Sequence, residues 1–200
     1  MTQLTLTNPS PIRLTPEHLA EIAAAHGLTP AHLAAIADIE GSGSGYLPDG
    51  RPKILFEAHI FSRLTGHRFD ASHPGISSFS WNRSLYKGGA GEYPRMSEAM
   101  ALDETAALQS ASWGLFQVMG KNYGPAGYSS VANFAADHVL GGEPAHLAAL
   151  GRFLAARGLV DPLRRCDWPA FARGYNGPGQ VEVYSKRLAD AYAKHQQVAA

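Results

Sequence analysis

The chain has 200 residues, of which 45% are hydrophobic, with 17 basic and 17 acidic side chains. This length and hydrophobic content are enough for one substantial core. Because the net charge is zero, we expect no nucleic-acid partner, since proteins that bind nucleic acid neutralise phosphates with an excess of Lys and Arg. The apolar stretches are shorter than the roughly 20 residues that a membrane-spanning helix needs, so no membrane insertion is expected.

The sequence has one cysteine, Cys166, and nine histidines that lack the spacing of a metal site. An internal disulfide is therefore excluded, and we predict neither a metal nor a cofactor. The first nine residues have no basic start followed by an apolar run, so no signal peptide is predicted.

Residues 1–12 are rich in Thr and Pro and are predicted to form a flexible arm before a single domain at 13–196. Thr-Pro pairs beginning at Thr15 and Thr29 are typical of helix starts and predict two helices, the second ending at Glu40. A turn at 48–50 between short extended runs then predicts a small β-hairpin lobe.

The rest of the chain is predicted to be mainly helical. A helix at 57–64 precedes a long loop at 67–93 that is rich in Gly, Ser and aromatic residues, and loops of this length are usually functional. Further helices are predicted at 94–102, 103–110, 130–140, 144–157, 168–175 and 181–194. The predicted fold class is therefore mainly α (α+β), a helical domain with a small β-hairpin lobe that flanks a cleft.

Glu40 occupies an unfavourable position for a charged carboxylate. It ends an apolar helix, where the helix dipole is negative, and Gly41 follows directly. Both the dipole and the apolar surroundings favour the protonated form. The position therefore suggests a carboxylic acid that donates a proton, as the general acid of a glycosidase does.

Three short segments contain polar side chains that are candidates for a catalytic or binding role. The first is 39–43, in which flexible glycines follow Glu40. The second is 111–120, which we expect to begin a helix and which carries the amide of Gln117. The third is 172–179, in which Tyr175 and Asn176 end a helix before a Gly-Pro-Gly turn.

In this order the three segments resemble the lysozyme-like superfamily, which has a catalytic Glu, then Gly-Leu-x-Gln, then Tyr-Asn before a Gly. The sequence has Gly-Leu-Phe-Gln at 114–117 and Tyr-Asn-Gly at 175–177. With Leu-Pro-Asp-Gly-Arg-Pro at 47–52 and Leu-Phe-Glu-Ala-His at 55–59, it more specifically resembles the N-acetylmuramidase domain of phage and prophage endolysins. The resemblance extends over about residues 15 to 195.

The resemblance implies a lysozyme-like fold and cleavage of the β-1,4 bond between N-acetylmuramic acid and N-acetylglucosamine in peptidoglycan. It implies that Glu40 is the general acid, that Gln117 and Asn176 bind sugar, and that Tyr175 lies near the acid. Many relatives place Ser directly after the catalytic Glu, whereas this chain has Gly41 and then Ser42.

Further residues are candidates for the substrate cleft. Ser112 and Trp113 belong to the matched segment, and Trp113 is expected to line the cleft beside Gln117. Tyr86 lies on the long loop with Trp81, and aromatic rings outside periodic elements can stack on sugars.

A second carboxylate is needed for most glycoside hydrolysis. Glu57 is the first candidate because it belongs to the matched Leu-Phe-Glu-Ala-His segment, although it could instead be a structural carboxylate paired with His59 or an arginine. The weaker candidates are Asp49, Asp70 and Glu92.

The leading hypothesis is a monomeric muramidase that is made in a bacterial cytoplasm and acts on the cell wall after release, as a phage lysin or an exported toxin. One alternative is a lytic transglycosylase on the same fold, in which a sugar hydroxyl replaces water and no second carboxylate is needed. The other is a catalytically silent glycan-binding module.

Overall fold

The structure, a computed structural model, describes residues 6–40 and 43–198. Its longer helices are α1 (Pro16–Ala25), α2 (Pro30–Glu40), α3 (Ala58–Leu64), α4 (Glu92–Leu102), α5 (Glu104–Gln109), α6 (Val131–Leu140), α7 (Gly142–Ala156), α8 (Val160–Arg164), α9 (Trp168–Asn176) and α10 (Val181–Val198). Its strands are β1 (Ile54–Phe56), β2 (Ala111–Trp113) and β3 (Val118–Met119). The mainly helical fold class with a small sheet is therefore confirmed.

The helix starts follow the polar residues that precede them. The side chain of Thr15 accepts a hydrogen bond from the backbone of His18 at the start of α1, and Ser130 and Asp167 cap α6 and α9 in the same way. Such caps satisfy backbone N–H groups that have no partner inside the helix. The predicted helices are confirmed with small shifts of their ends, and α8, which was not predicted, adds one more.

The three strands form an antiparallel sheet in the order β1-β2-β3. Ile54 pairs with Trp113, and Trp113 pairs with Val118. The predicted turn at Pro48–Gly50 is present and is flanked by a single bridge between Tyr46 and Pro52. The β lobe therefore combines this turn with strands that lie about 60 residues apart in the chain.

The prediction that 111–120 begins a helix is wrong. These residues form β2, a four-residue turn and β3. Gly114 has φ of 70° and Gln117 has φ of 50°, both in the left-handed region that a right-handed helix excludes. Gln117 lies in the turn of the β2–β3 hairpin, where its backbone departs from the extended conformation of the strands.

The core lies between the sheet and the helices around it. Trp113 is fully buried and contacts Phe134 of α6 edge to face, with ring centroids 6.5 Å apart. On the other side α2 packs against α1 and α10, and α10 also packs against α9. This packing brings the end of α2, at Glu40, close to both the sheet and α10.

No helix in the described part of the chain is long and apolar enough to cross a membrane. Among the described residues, no cluster of three or more His, Cys, Asp or Glu side chains is arranged to hold a metal ion.

Gly120, directly after β3, packs closely against the end of α5. A Cβ atom at this position would lie 2.0 Å from the carbonyl oxygen of Leu108. We therefore expect Gly120→Ala to lower the free energy of unfolding by about 1–3 kcal/mol, because backbone must move to admit the methyl group. Denaturant unfolding measures this change. Gly124→Ala, whose Cβ would meet nothing within 4 Å, is the matched control, and an equal loss in both variants would contradict the prediction.

Candidate functional site

Glu40 ends α2 in a partly buried position, with the buried side chains of Leu33 and Ile36 preceding it on the same helix. The hydroxyl of Tyr184 donates a hydrogen bond to Glu40 Oε1. Burial raises the pKa of Glu40, and this effect exceeds the opposing effects of the Tyr184 hydrogen bond and the nearby positive charge of Arg187. Glu40 can therefore hold its proton at a higher pH than an exposed glutamate.

Tyr184 was missed in the sequence. It is a buried residue of α10, the helix that packs along α2, and its hydroxyl also interacts with the side chain of Asn176. The sequence places Tyr184 and Leu188 four residues apart on one helix face, which is typical of burial. That spacing does not show which element the face covers, so the contact with Glu40 could not be predicted from it.

Glu57 lies between β1 and α3, and its backbone N–H donates to the carbonyl of Ser110 beside β2. Its Oε2 accepts a hydrogen bond of 2.6 Å from the Tyr86 hydroxyl and lies 3.3 Å from Nδ1 of His59. Trp81 Nε1 in turn donates to the Tyr86 hydroxyl at 2.7 Å. The long loop thus orients Glu57 through Tyr86.

Tyr86 is partly buried, and its hydroxyl forms hydrogen bonds with the side chains of Glu57 and Trp81. Burial, together with the hydrogen bond to Glu57, raises the pKa of Tyr86 to about 12. Tyr86 is therefore a neutral hydrogen-bond donor to the carboxylate across the physiological range of pH.

Glu40 and Glu57 line one cavity of about 420 Å³, which we call the acid cavity. Its walls bring together several of the residues singled out in the sequence. They include Ser112, Gln117, Tyr175 and Asn176. A cavity of this size is in the range of small-ligand sites.

A second cavity of about 320 Å³, the hairpin cavity, shares Glu40 and Gln117 with the acid cavity. It is also lined by Ser44, Leu47 and Gly114. Glu40 therefore contributes to the walls of both cavities.

Gln117 lines both cavities, but its side-chain amide already forms hydrogen bonds within the protein. Its Nε2 donates to the carbonyls of Gly114 at 2.8 Å and Lys53 at 3.4 Å, while its Oε1 accepts from the Ser112 hydroxyl at 2.7 Å. An amide oxygen has a second lone pair, which can accept one further hydrogen bond from a ligand.

The structure places Trp113 away from the cleft. Its side chain is 0% exposed, and its indole N–H donates to the carbonyl of Leu108. The expectation that Trp113 lines the cleft is therefore corrected, because this ring fills the core on the far face of β2. Tyr175 lines the acid cavity, and its hydroxyl donates to the carbonyl of Phe116 at 3.2 Å.

The weaker candidates for a second carboxylate have other partners. Glu92 is fully buried in an ion pair of 2.6 Å with Arg95, and its Oε1 accepts from the backbone of Lys87 and Gly88. This pair anchors the long loop. Asp49 forms an ion pair with Arg51 in the exposed turn.

Asp70 is occupied within the long loop, where it accepts from Ser77 and lies 3.3 Å from His67. Gly41, at the position where many relatives have Ser, and Ser42 lie outside the described residues.

Comparison with known proteins follows from this geometry. A family model described as N-acetylmuramidase matches residues 29–196. The crystal structure of the Burkholderia AP3 phage endolysin is similar to this chain with a TM-score of 0.87 and 34% sequence identity, over 96% of this chain and 74% of the endolysin. No curated protein matches the chain. Because the family model covers most of the sequence, the chain belongs to the N-acetylmuramidase family.

Proposed function

We propose that this peptidoglycan hydrolase cleaves the β-1,4 bond between N-acetylmuramic acid and N-acetylglucosamine, with Glu40 as the general acid. The observation that carries the proposal is the placement of Glu40 and Glu57 on the walls of one cavity. Glu40 has a raised pKa, as a proton donor requires, and it lies where the acid and hairpin cavities meet. A bound glycan strand then passes Glu40 with the reacting oxygen beside its carboxyl group.

In the proposed reaction Glu40 protonates the glycosidic oxygen, the bond to the anomeric carbon breaks, and the positive charge spreads over that carbon and the ring oxygen. Glu57 stabilises this charge or takes a proton from the attacking water. The contacts described for the Glu57 side chain involve Oε2, so we assign to Oε1 the contact with the sugar or the attacking water. The oxygen of the attacking water bonds to the anomeric carbon, and the proton released from the water passes to solvent, directly or through Glu57. Glu40 takes up a proton from solvent, and both products leave with free ends.

The amides of Asn176 and Gln117 and the phenol of Tyr175 hold the sugars in this proposal. Asn176 is exposed at the rim of the acid cavity and can both donate and accept. The enzyme acts as a monomer on the cell wall after its release from the cytoplasm of a bacterial host, which fits a phage lysin, since the similar solved structure is a phage endolysin.

Mass analysis of muropeptides released from purified walls tests the reaction. Hydrolysis gives a free reducing N-acetylmuramic acid, whereas a transglycosylase gives a 1,6-anhydro product that lacks one water. We expect the reducing product because a second carboxylate, Glu57, lines the acid cavity. Anhydro products would favour the transglycosylase, and the absence of any released sugar would favour a silent binding module.

Removal of the Tyr184 hydroxyl is expected to change the pH dependence of the reaction. The hydrogen bond from Tyr184 stabilises the charged form of Glu40, so Tyr184→Phe raises the pKa of Glu40 further. Activity is lost as pH rises above that pKa, and the alkaline limb of the kcat profile therefore moves to higher pH. The loss of orientation lowers the plateau of kcat by about fivefold, the equivalent of one ordinary hydrogen bond.

Tyr192→Phe is the control for this profile, because Tyr192 lies on the same helix and its hydroxyl accepts from Gln196. Its pH profile should match that of the unchanged protein. An unshifted alkaline limb in Tyr184→Phe would show that Tyr184 does not act on the Glu40 carboxyl.

A further inference from the structure

Residues 8–14 lie against the domain along a defined path. The backbone N–H of Asn8 donates to the carbonyl of Gly50 at 2.8 Å, and the carbonyl of Ile12 accepts from the N–H of Glu143 at 2.9 Å. The N–H of Leu14 donates to Glu143 Oε2 at 2.9 Å. These bonds connect the segment both to the turn of the β lobe and to the start of α7.

Arg13 strengthens this connection. It donates to the Ser44 hydroxyl and to the carbonyl of Gly43, and it forms an ion pair of 3.2 Å with Glu143. The Glu143 side chain is only 4% exposed and also accepts from the N–H of Gly45 at 2.8 Å. The segment at 43–45, close to Glu40 in the chain, is therefore held between Arg13 and α7.

A third cavity, of about 410 Å³, lies between the N-terminal segment and the β lobe, and we call it the arm cavity. Pro9, Pro11 and Arg13 form one wall, while Ser44 and Leu47 lie on the other. Ser44 and Leu47 also line the hairpin cavity, which reaches Glu40. The hairpin cavity thus shares wall residues with both the acid cavity and the arm cavity.

The walls of the arm cavity suit an amino-sugar chain that carries acidic peptides. Proline rings and Leu47 offer apolar surface for the C–H faces of sugar rings. The Arg13 side chain is 53% exposed, so its guanidinium can attract a carboxylate from solvent.

We propose that the arm cavity is a further glycan subsite, which binds amino sugars of the same strand beyond those held next to Glu40. The subsite rests on the proposed function, because it needs the strand to pass through the acid and hairpin cavities. Residues 9–13, which form this wall, precede the segment at 29–196 that the family model matches.

Binding to the 200-residue Glu40→Gln variant tests the subsite without turnover. The ligands are a tetrasaccharide and an octasaccharide of alternating N-acetylglucosamine and N-acetylmuramic acid. Their binding is measured through the backbone amide chemical shifts of the protein. We expect both ligands to shift Gln117, and only the octasaccharide to shift Ser10, Ile12 and Leu47. Shifts at Gln117 alone with both ligands would overturn the subsite, whereas no shift at Gln117 would overturn the proposed function itself.

A pair of glycine variants tests the same subsite through turnover. A Cβ atom at Gly50 would lie 2.2 Å from the carbonyl oxygen of Asn8, so Gly50→Ala displaces the N-terminal segment. Gly158→Ala is the matched control, because Gly158 also has a positive φ (67°, against 81° at Gly50) but its Cβ would meet nothing within 4 Å.

We expect Gly50→Ala to lower kcat/KM on long uncross-linked strands by about tenfold, the equivalent of about 1.4 kcal/mol of lost binding. Its kcat/KM on the tetrasaccharide should match that of Gly158→Ala. Equal losses on both substrates, or no loss on long strands, would contradict the subsite.

Discussion

Replacement of Glu40 by glutamine is expected to lower kcat by about 10²–10⁴-fold, the usual contribution of a general acid. The amide has the shape of the carboxyl group and can accept the hydrogen bond from Tyr184, but it has no acidic proton to give to the leaving oxygen. The fold should be unaffected, since Glu40 is only partly buried at the end of α2.

The rate of muropeptide release at several pH values, together with thermal unfolding, measures both parts of this expectation. The unchanged protein should lose activity as Glu40 deprotonates, and the residual activity of Glu40→Gln should lack this alkaline limb. Glu98→Gln is the control, because Glu98 is an exposed residue of α4. Wall lysis by Glu40→Gln at the rate of this control would remove Glu40 from the reaction.

The second large effect is expected from Glu57→Gln, which should lower kcat by about 10²–10⁴-fold if Glu57 serves as the second carboxylate. Glutamine can still accept from Tyr86, so the position of the side chain is preserved while its negative charge is lost. An attacking water then has no base, and the charge on the sugar ring has no neighbouring carboxylate.

The same variant separates two mechanisms on one fold. If Glu57 serves only to hold His59 and the long loop, the neutral variant should keep its rate to within about tenfold, because glutamine still accepts the hydrogen bond from Tyr86 and one ordinary hydrogen bond contributes about 1 kcal/mol. Product analysis completes the test. A nearly unchanged rate with anhydro products would identify a transglycosylase that depends on Glu40 alone.

The sequence was sufficient for the parts of the molecule that depend on local rules. Thr15 and Thr29 precede the first two helices as predicted, and the end of α2 at Glu40 follows from the glycines after it. Glu57, in contrast, became a candidate only through the resemblance to muramidases. Nothing local distinguishes a catalytic glutamate after a strand from a structural one.

Two errors concern the local β2–β3 hairpin, and one omission comes from a contact between distant segments. The segment 111–119 forms a hairpin and not the predicted helix start, because Gln117 adopts a left-handed conformation that is unusual for a residue other than glycine and that the sequence does not signal. Trp113 was expected in the cleft because it neighbours cleft residues, yet alternate residues of a strand face opposite sides. Tyr184 was missed because its partner is 144 residues away.

This separation also has a consequence for biosynthesis. Translation adds about 5–20 residues per second, so the ribosome needs roughly 7–29 s to add the 144 residues between Glu40 and Tyr184. During that interval the nascent chain contains Glu40 but lacks Tyr184 and α10, which hold the Glu40 side chain. We therefore expect the nascent chain to be inert until α10 has emerged, which delays wall-degrading activity until synthesis of the muramidase domain is nearly complete.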